Sequence, residues 1–530
     1  MMTPEKAWEK LNMVFGKRHK IAFLSAFAAG LLIHLPVMLS DIPNHDGLAS
    51  MYFDQNMITS GRWFLTVACG FSSYFTVPWV IGLIGMFFLG IASAVLTELL
   101  ELKSTIVIVL SGGMLVAFPA LASTFAYVFT LDGYMLALLL MASAVLLTKK
   151  YRTGWIGGAI CLAFSMGIYQ AYLPFAILLC MYEILMLLAD DMWKKDRSGL
   201  IRKTGSYLGM GVLGAVLYYV ILRILLLIQG KELASYQGIG SASPLAGGNL
   251  FATFKAIYVD FAAFTLKGGI LYSNLFSAVA LLLLVLMTIC VTVKLAVRRG
   301  WWKKTGFYGV LVLCALSVPV VNSCIRLMSP GLNYHLLMRY QWVLYPMLML
   351  AFLEKNIEIE GNLAKKTANL FRWGVVFCGF ILLFCYGLAD NIAYTNLQRK
   401  YEKTYAYCLR LLDRIEQTPG YYQGIPVAIN GVVGDDLFPV TEITGKVTGN
   451  MIGLSGDMLF YTGANYESFF RNYLGATLNI VDVDTMGQIY YTEEYMAMDS
   501  FPGPDSTKVV NGILYVKTEN KDRSDRNTEE

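Results

Sequence analysis

Long apolar stretches alternate with short polar ones over the first three quarters of the chain. Stretches such as AVALLLLVLMTICVTV (278–293) are too long and too evenly apolar for surface helices with one buried face. Only helices and closed barrels satisfy the backbone within hydrocarbon, and continuous runs of this kind are helical. The pattern predicts eleven spans, near 21–40, 77–98, 104–121, 131–148, 154–169, 172–189, 205–228, 271–293, 305–322, 336–353 and 372–390. Only a few residues around Tyr169 and Gln170 separate the fifth from the sixth.

Beyond residue 391 the texture changes. RKYEKTYAYCLRLLDRIEQ reads as an amphipathic helix. IPVAING, LNIVDVD and NGILYVKTE read as short strands between turns rich in Gly, Pro and Asn. A small α/β or α+β domain is expected there, with a frayed tail over the last ten residues. The expected domains are therefore 1–390 in the membrane, with external loops 41–76, 229–270 and 323–335, and 391–530 outside it.

Charge sets the expected direction. With the N-terminus inside, the inner segments hold 23 Lys and Arg, against six in the outer loops before residue 391. Positive residues stay on the cytoplasmic side, so an N-in, C-out arrangement is predicted. The first span is too long for a signal-peptide core and has no small-residue cleavage site after it, so it is expected to stay. Composition agrees: the 530 residues are 56% hydrophobic and 15% charged, with a mean hydropathy of +0.54. Soluble proteins carry about a quarter charged residues. The fold class expected is a polytopic α-helical membrane protein with a small C-terminal extracytoplasmic α/β domain. The nine cysteines show no ligand or redox spacing, so neither a disulfide framework nor a cysteine metal site is expected.

Candidate chemistry gathers in the outer segments. SDIPNHDGLASMYFDQNMITSGRWF (40–64) supplies Asp41, His45, Asp46, Asp54 and Arg62 directly after the first span. NSCIRLMSPGLNYHLLMRYQW (322–342) supplies Arg326, His335, Arg339 and Tyr340 around a Ser-Pro-Gly turn. Arg223 sits in the outer part of span seven. Charged groups at such depths pair, line a cavity or snorkel. Plainer readings stand beside these. Arg223 can snorkel to headgroups, Lys255 and Lys267 can touch them, Asp54 can be the polar face of a surface helix over 48–58, and Asp132 can cap a helix.

A carboxylate and arginines at an outer membrane edge suit a lipid-linked phosphosugar, whose tail lies in the bilayer and whose phosphate sits at the boundary. Transfer to a hydroxyl needs a base for the proton. It also needs cations for the charge that develops on the leaving phosphate. A transporter or flippase for the same lipid is the rival reading, but it should put ionisable groups at mid-membrane and show internal repeats. A membrane acyltransferase, for which His34 and His45 would matter, is a third.

Three segments carry a resemblance: NHDGLASMYFDQNMITSGRWF, FSMGIYQAYLPFAI (164–177) and CIRLMSPGLNYHLLMRYQW. They resemble the bacterial glucosyl transferase II family, the Gtr-type, O-antigen-modifying membrane enzymes. The resemblance implies a GT-C-like fold and an inverting transfer of a hexose, most simply glucose, from undecaprenyl phosphate to a cell-envelope glycan on the outer face of the bacterial plasma membrane. It maps the acidic residue of the first external loop onto Asp46, as general base, with Asp41 or Asp54 orienting it. Arg339 and Arg326 are expected to hold the donor phosphate, with Arg62 and Arg223 behind them. His45, His335, Tyr340, Tyr169 and Gln170 are expected to contact sugar or acceptor. Relatives carry a second acidic residue where this chain has Gly47, so no metal and no other cofactor is expected, a divalent ion being the disfavoured alternative. The expected partners are the polyprenyl-phosphate sugar, the acceptor glycan and the bilayer, with no nucleic acid.

Overall fold

The computed structural model describes residues 3–518 except 50–55, 71–74, 235–249, 268, 330–331, 358–361, 431–446, 449–450, 452 and 455–462. Two compact units divide the chain: residues 1–40 with 54–391, and residues 41–53 with 392–530.

The first unit is helical. Among the described residues, eight helices are long and apolar enough to cross a membrane, or nine when one bent pair counts as a single span. Eleven spans were expected, and the difference lies at three places. Thr105–Ala117 and Pro119–Phe125 form the bent pair, with a 40° break. Phe118 is extended there (φ −70°, ψ 130°) because the proline ring disfavours helix in the residue before it. Gly154–Ile168 is apolar but only 15 residues long, and ends where Tyr169 becomes extended. Residues 336–353 open in two 3₁₀ turns, Leu336–Met338 and Tyr340–Val343, before a 13-residue helix, Leu344–Asn356.

Helices pack where glycine lets them approach. A Cβ on Gly82 would lie 2.7 Å from Met38, and one on Gly214 would lie 2.7 Å from Leu162. These positions seat Pro78–Leu99 on Lys17–Met38 and Arg197–Gln229 on Gly154–Ile168. At one end of these helices the charges pair. Lys149 reaches both Glu101 and Glu183 at 3.0 Å, Lys150 reaches Glu98 at 3.1 Å, and Lys355 reaches Asp190 at 3.1 Å.

One helix of 55 residues, Asn362–Glu416, takes in both the expected last span and the amphipathic segment after it. No Gly or Pro interrupts residues 388–416, and Pro419-Gly420 follows its end. In the second unit, β1 (Pro426–Asn430), β2 (Asn479–Ile480), β3 (Thr507–Val510) and β4 (Ile513–Lys517) form one sheet in the order β2-β1-β4-β3. β1 runs parallel to both neighbours, while β3 and β4 are antiparallel. Met486, Ile489 and Tyr490 of the Val483–Tyr490 helix pack with Ala428 and Tyr515 beneath the sheet.

Candidate active site

The first unit brings together two arginine centres. The first forms around the SGRW segment. Gly61 has φ +79°, and a Cβ there would lie 2.5 Å from both Gln170 Nε2 and Tyr218 Oη, so the turn needs glycine twice over. Tyr218 donates to the Gly61 carbonyl (3.1 Å), while Gln170 Nε2 donates to the Ser60 carbonyl (3.2 Å) and to the Tyr218 hydroxyl (2.9 Å). The Phe64 N–H donates to the Gly167 carbonyl at 2.8 Å. So fixed, Arg62 lies 5.0 Å from the Tyr169 ring centroid and donates to the Tyr134 hydroxyl at 3.3 Å. Tyr134 and Tyr169 stack at 4.2 Å, and Tyr172 meets Tyr169 edge-on at 5.1 Å.

Tyr172 also meets Tyr340 edge-on at 6.1 Å, which carries this aromatic row to the second centre. Tyr340 is fully buried and donates to the Leu115 carbonyl at 2.6 Å. Beside it, Arg339 is 6% exposed, and each of its three nitrogens donates a hydrogen bond. Its Nη1 and Nη2 donate to Asp260 at 2.8 and 2.7 Å, and its Nε donates to the Tyr334 carbonyl at 3.0 Å. Its guanidinium carbon lies 4.0 Å from the Tyr334 ring and 4.5 Å from the Phe264 ring. Arg326 reaches the same carboxylate at 3.3 Å through Nη2. The loop is tied from below: Tyr334 donates to the Asn322 carbonyl (2.7 Å), and Gln341 Nε2 donates to the same oxygen (2.8 Å). His335 is half-buried, and burial, then the Arg339 charge, holds its imidazole below the usual 6.5.

Asp260 belongs to the Leu250–Lys267 helix, where Ile257, Asp260 and Phe264 share one face. It was not among the expected site residues, nor were Tyr134 and Tyr218. A lone carboxylate on an otherwise apolar helix face is the signal that points to Asp260, since such a group seeks a cation.

Arg223 is exposed near the end of the Arg197–Gln229 helix, and Asp54 is outside the described residues. Asp41 and Asp46 belong to the second unit and are exposed. Asn44 starts the short His45–Ala49 helix by accepting from the Gly47 N–H at 2.7 Å. Asn465 donates to the His45 carbonyl at 3.0 Å. His45 Nε2 is 3.6 Å from an Asp46 oxygen; burial lowers its imidazole, Asp46 raises it, and the Lys400 charge lowers it. Desolvation pushes the Asp41 carboxyl above its usual value. Among the described residues, no three His, Cys, Asp or Glu side chains gather as a metal-ion site.

Residues 35–354 match the family model described as Glucosyl transferase GtrII, which is more than half of the chain. The chain belongs to the GtrII glucosyl transferase family. Both arginine centres of this GtrII protein and its His45–Ala49 helix fall inside the matched stretch, whereas the sheet of the second unit falls outside it. Comparison with curated proteins and with solved structures finds no match. Membership of a glucosyl transferase family makes the protein a glycosyltransferase, and among the described residues it has helices long and apolar enough to cross a membrane.

Proposed function

We propose that the protein transfers a hexose, glucose in the simplest case, from a polyprenyl-phosphate donor to a hydroxyl of a cell-envelope glycan on the outer face of the plasma membrane. The observation that carries this reading is Arg326, which shares the Asp260 carboxylate with Arg339 beside a row of tyrosines. Arginine binds phosphate through its planar fork, and aromatic faces suit the apolar face of a sugar ring. The acceptor oxygen attacks C1 and forms the new glycosidic bond as the bond from C1 to the phosphate oxygen breaks. The electron pair leaves on the phosphate, and the acceptor proton passes to a carboxylate base. That base is assigned to Asp46 from its place directly after the first span, with Asp41 or Asp54 as its orienting partner.

Tyr169, Gln170, His335 and His45 are the proposed sugar and acceptor contacts, with Tyr340, fully buried and bonded to the Leu115 carbonyl, as support behind them. Arg62 serves as a second cation, and Arg223 is left to the headgroups. The outer-face assignment draws support from the ion pairs among residues 98–101, 149–150, 183–190 and 355. Those helix ends are the ones the charge rule assigns to the cytoplasm. On the same reading, the second unit is extracytoplasmic and helps select the glycan.

The test loads purified protein with polyprenyl-phosphate glucose and an envelope glycan, and compares wild type with Asp46→Asn. Transfer by wild type and its loss in a correctly folded variant is expected. Full turnover by the variant removes Asp46 from the base role.

A further inference from the structure

The two arginines of the second centre are not equivalent. Arg339 is buried, its Nε and both Nη atoms have partners, and Tyr334, Phe264 and Trp342 surround its guanidinium. A phosphate could gain its fork only by displacing Asp260. Arg326 is in the opposite position. It has one contact with Asp260, at 3.3 Å, and its Nε is buried with no hydrogen-bond partner among the described residues. A buried guanidinium N–H without an acceptor is costly, so an acceptor supplied by a ligand gains more there than at a satisfied group.

Charge leads to the same residue. Two guanidinium groups share one carboxylate, and His335 beside them is held neutral at ordinary pH by burial and by Arg339. The centre therefore carries one surplus positive charge, and Arg326 presents it. A phosphodiester linking a lipid to a sugar carries one negative charge. A phosphate monoester carries between one and two at neutral pH.

We infer that Arg326 takes the phosphodiester of a lipid-linked sugar, while Asp260 with Arg339 forms the fixed frame that aims Arg326 and trims the local charge to match a monoanion. This division of labour rests on the donor reading above and adds Asp260 to it as a positioning residue. It assigns Asp260 no contact with the substrate.

The experiment uses the full chain in nanodiscs of neutral lipid. It measures binding of a short-chain prenyl-phosphate glucose, of the corresponding prenyl monophosphate, and of phosphatidylglycerol as a competitor. Wild type should prefer the diester. Arg326→Gln should raise the diester Kd about tenfold or more with little change in melting temperature, because a tenfold change is the scale of one charge-assisted contact. Asp260→Asn raises the surplus charge by one, so it should shift preference towards the monophosphate, which a purely structural role would not do. If Asp260→Asn does not stay folded, Asp260→Glu tests the frame instead: it keeps the charge, so it should keep the diester preference while weakening binding.

Unchanged diester binding in Arg326→Gln overturns the inference and leaves the donor reading standing. So does an unchanged diester-to-monophosphate ratio in folded Asp260→Asn. Competition by phosphatidylglycerol as strong as by the prenyl diester overturns it as well, since the centre is then a general headgroup site. Absence of prenyl-phosphate glucose binding by wild type overturns the donor reading itself.

Discussion

Arg62 lies over Tyr169, with its guanidinium carbon 5.0 Å from the ring centroid, so the SGRW and IYQAY segments meet face to face although about a hundred residues separate them. The contact sets a flat cation over one ring of a stacked tyrosine pair and hydrogen-bonds it to Tyr134. A lysine keeps the charge and loses the plane. Arg62→Lys should lower kcat/KM roughly tenfold, the size of a partly desolvated cation–π contact, with the protein still folded. Steady-state transfer rates check this, and an unchanged kcat/KM removes Arg62 from the site.

Arg339 and Asp260 should behave as one structural unit. Removing one partner of a buried pair leaves an uncompensated charge and costs about 3–5 kcal/mol, whereas removing both can be neutral. Asp260→Leu alone deprives both guanidinium groups of their carboxylate and should therefore lower the melting temperature strongly. Arg326→Met and Arg339→Met combined with Asp260→Leu should recover most of that stability without recovering transfer. Thermal unfolding of the purified variants measures the difference. A triple variant as unstable as the single one argues that the surrounding loop, and not the unpaired charge, dominates.

Stability should fall as the solution is acidified through the histidine range. His335 and His45 both sit below their usual 6.5 in the folded protein, chiefly through burial. Unfolded chains take up these protons at the ordinary value while the fold still refuses them, so the unfolded state binds more protons and gains on acidification. The stability these groups contribute is present above 6.5 and is lost as pH falls from there through the folded values. Melting temperatures between about pH 7.5 and 5 should show the decline. His335→Gln and His45→Gln should each flatten it in part.

Much of this architecture is legible in residue order alone. The break at Tyr169 and the strands over 426–430 and 513–517 follow from local pattern. The bend at Phe118 and the 3₁₀ turns around Arg339 escaped because hydropathy averages over a window and cannot register one proline or one charged residue that interrupts a helix. Continuity through residues 391–416 escaped for the opposite reason: polarity changes there while the backbone meets no breaker. At the site, Arg326 and Arg339 announce themselves as cations beside an apolar span. Their shared partner does not. Asp260 is 79 residues from Arg339, on another helix, and no periodicity encodes a pairing across that distance.

The donor class is the point on which the chemistry turns. Purified wild-type protein in nanodiscs, given an envelope glycan, should transfer glucose from polyprenyl-phosphate glucose. It should release one polyprenyl phosphate per sugar transferred, and it should leave a nucleotide-linked glucose untouched. Transfer from the nucleotide sugar, with none from the lipid donor, would contradict the lipid-phosphate mechanism and the role given to the arginines of residues 326 and 339.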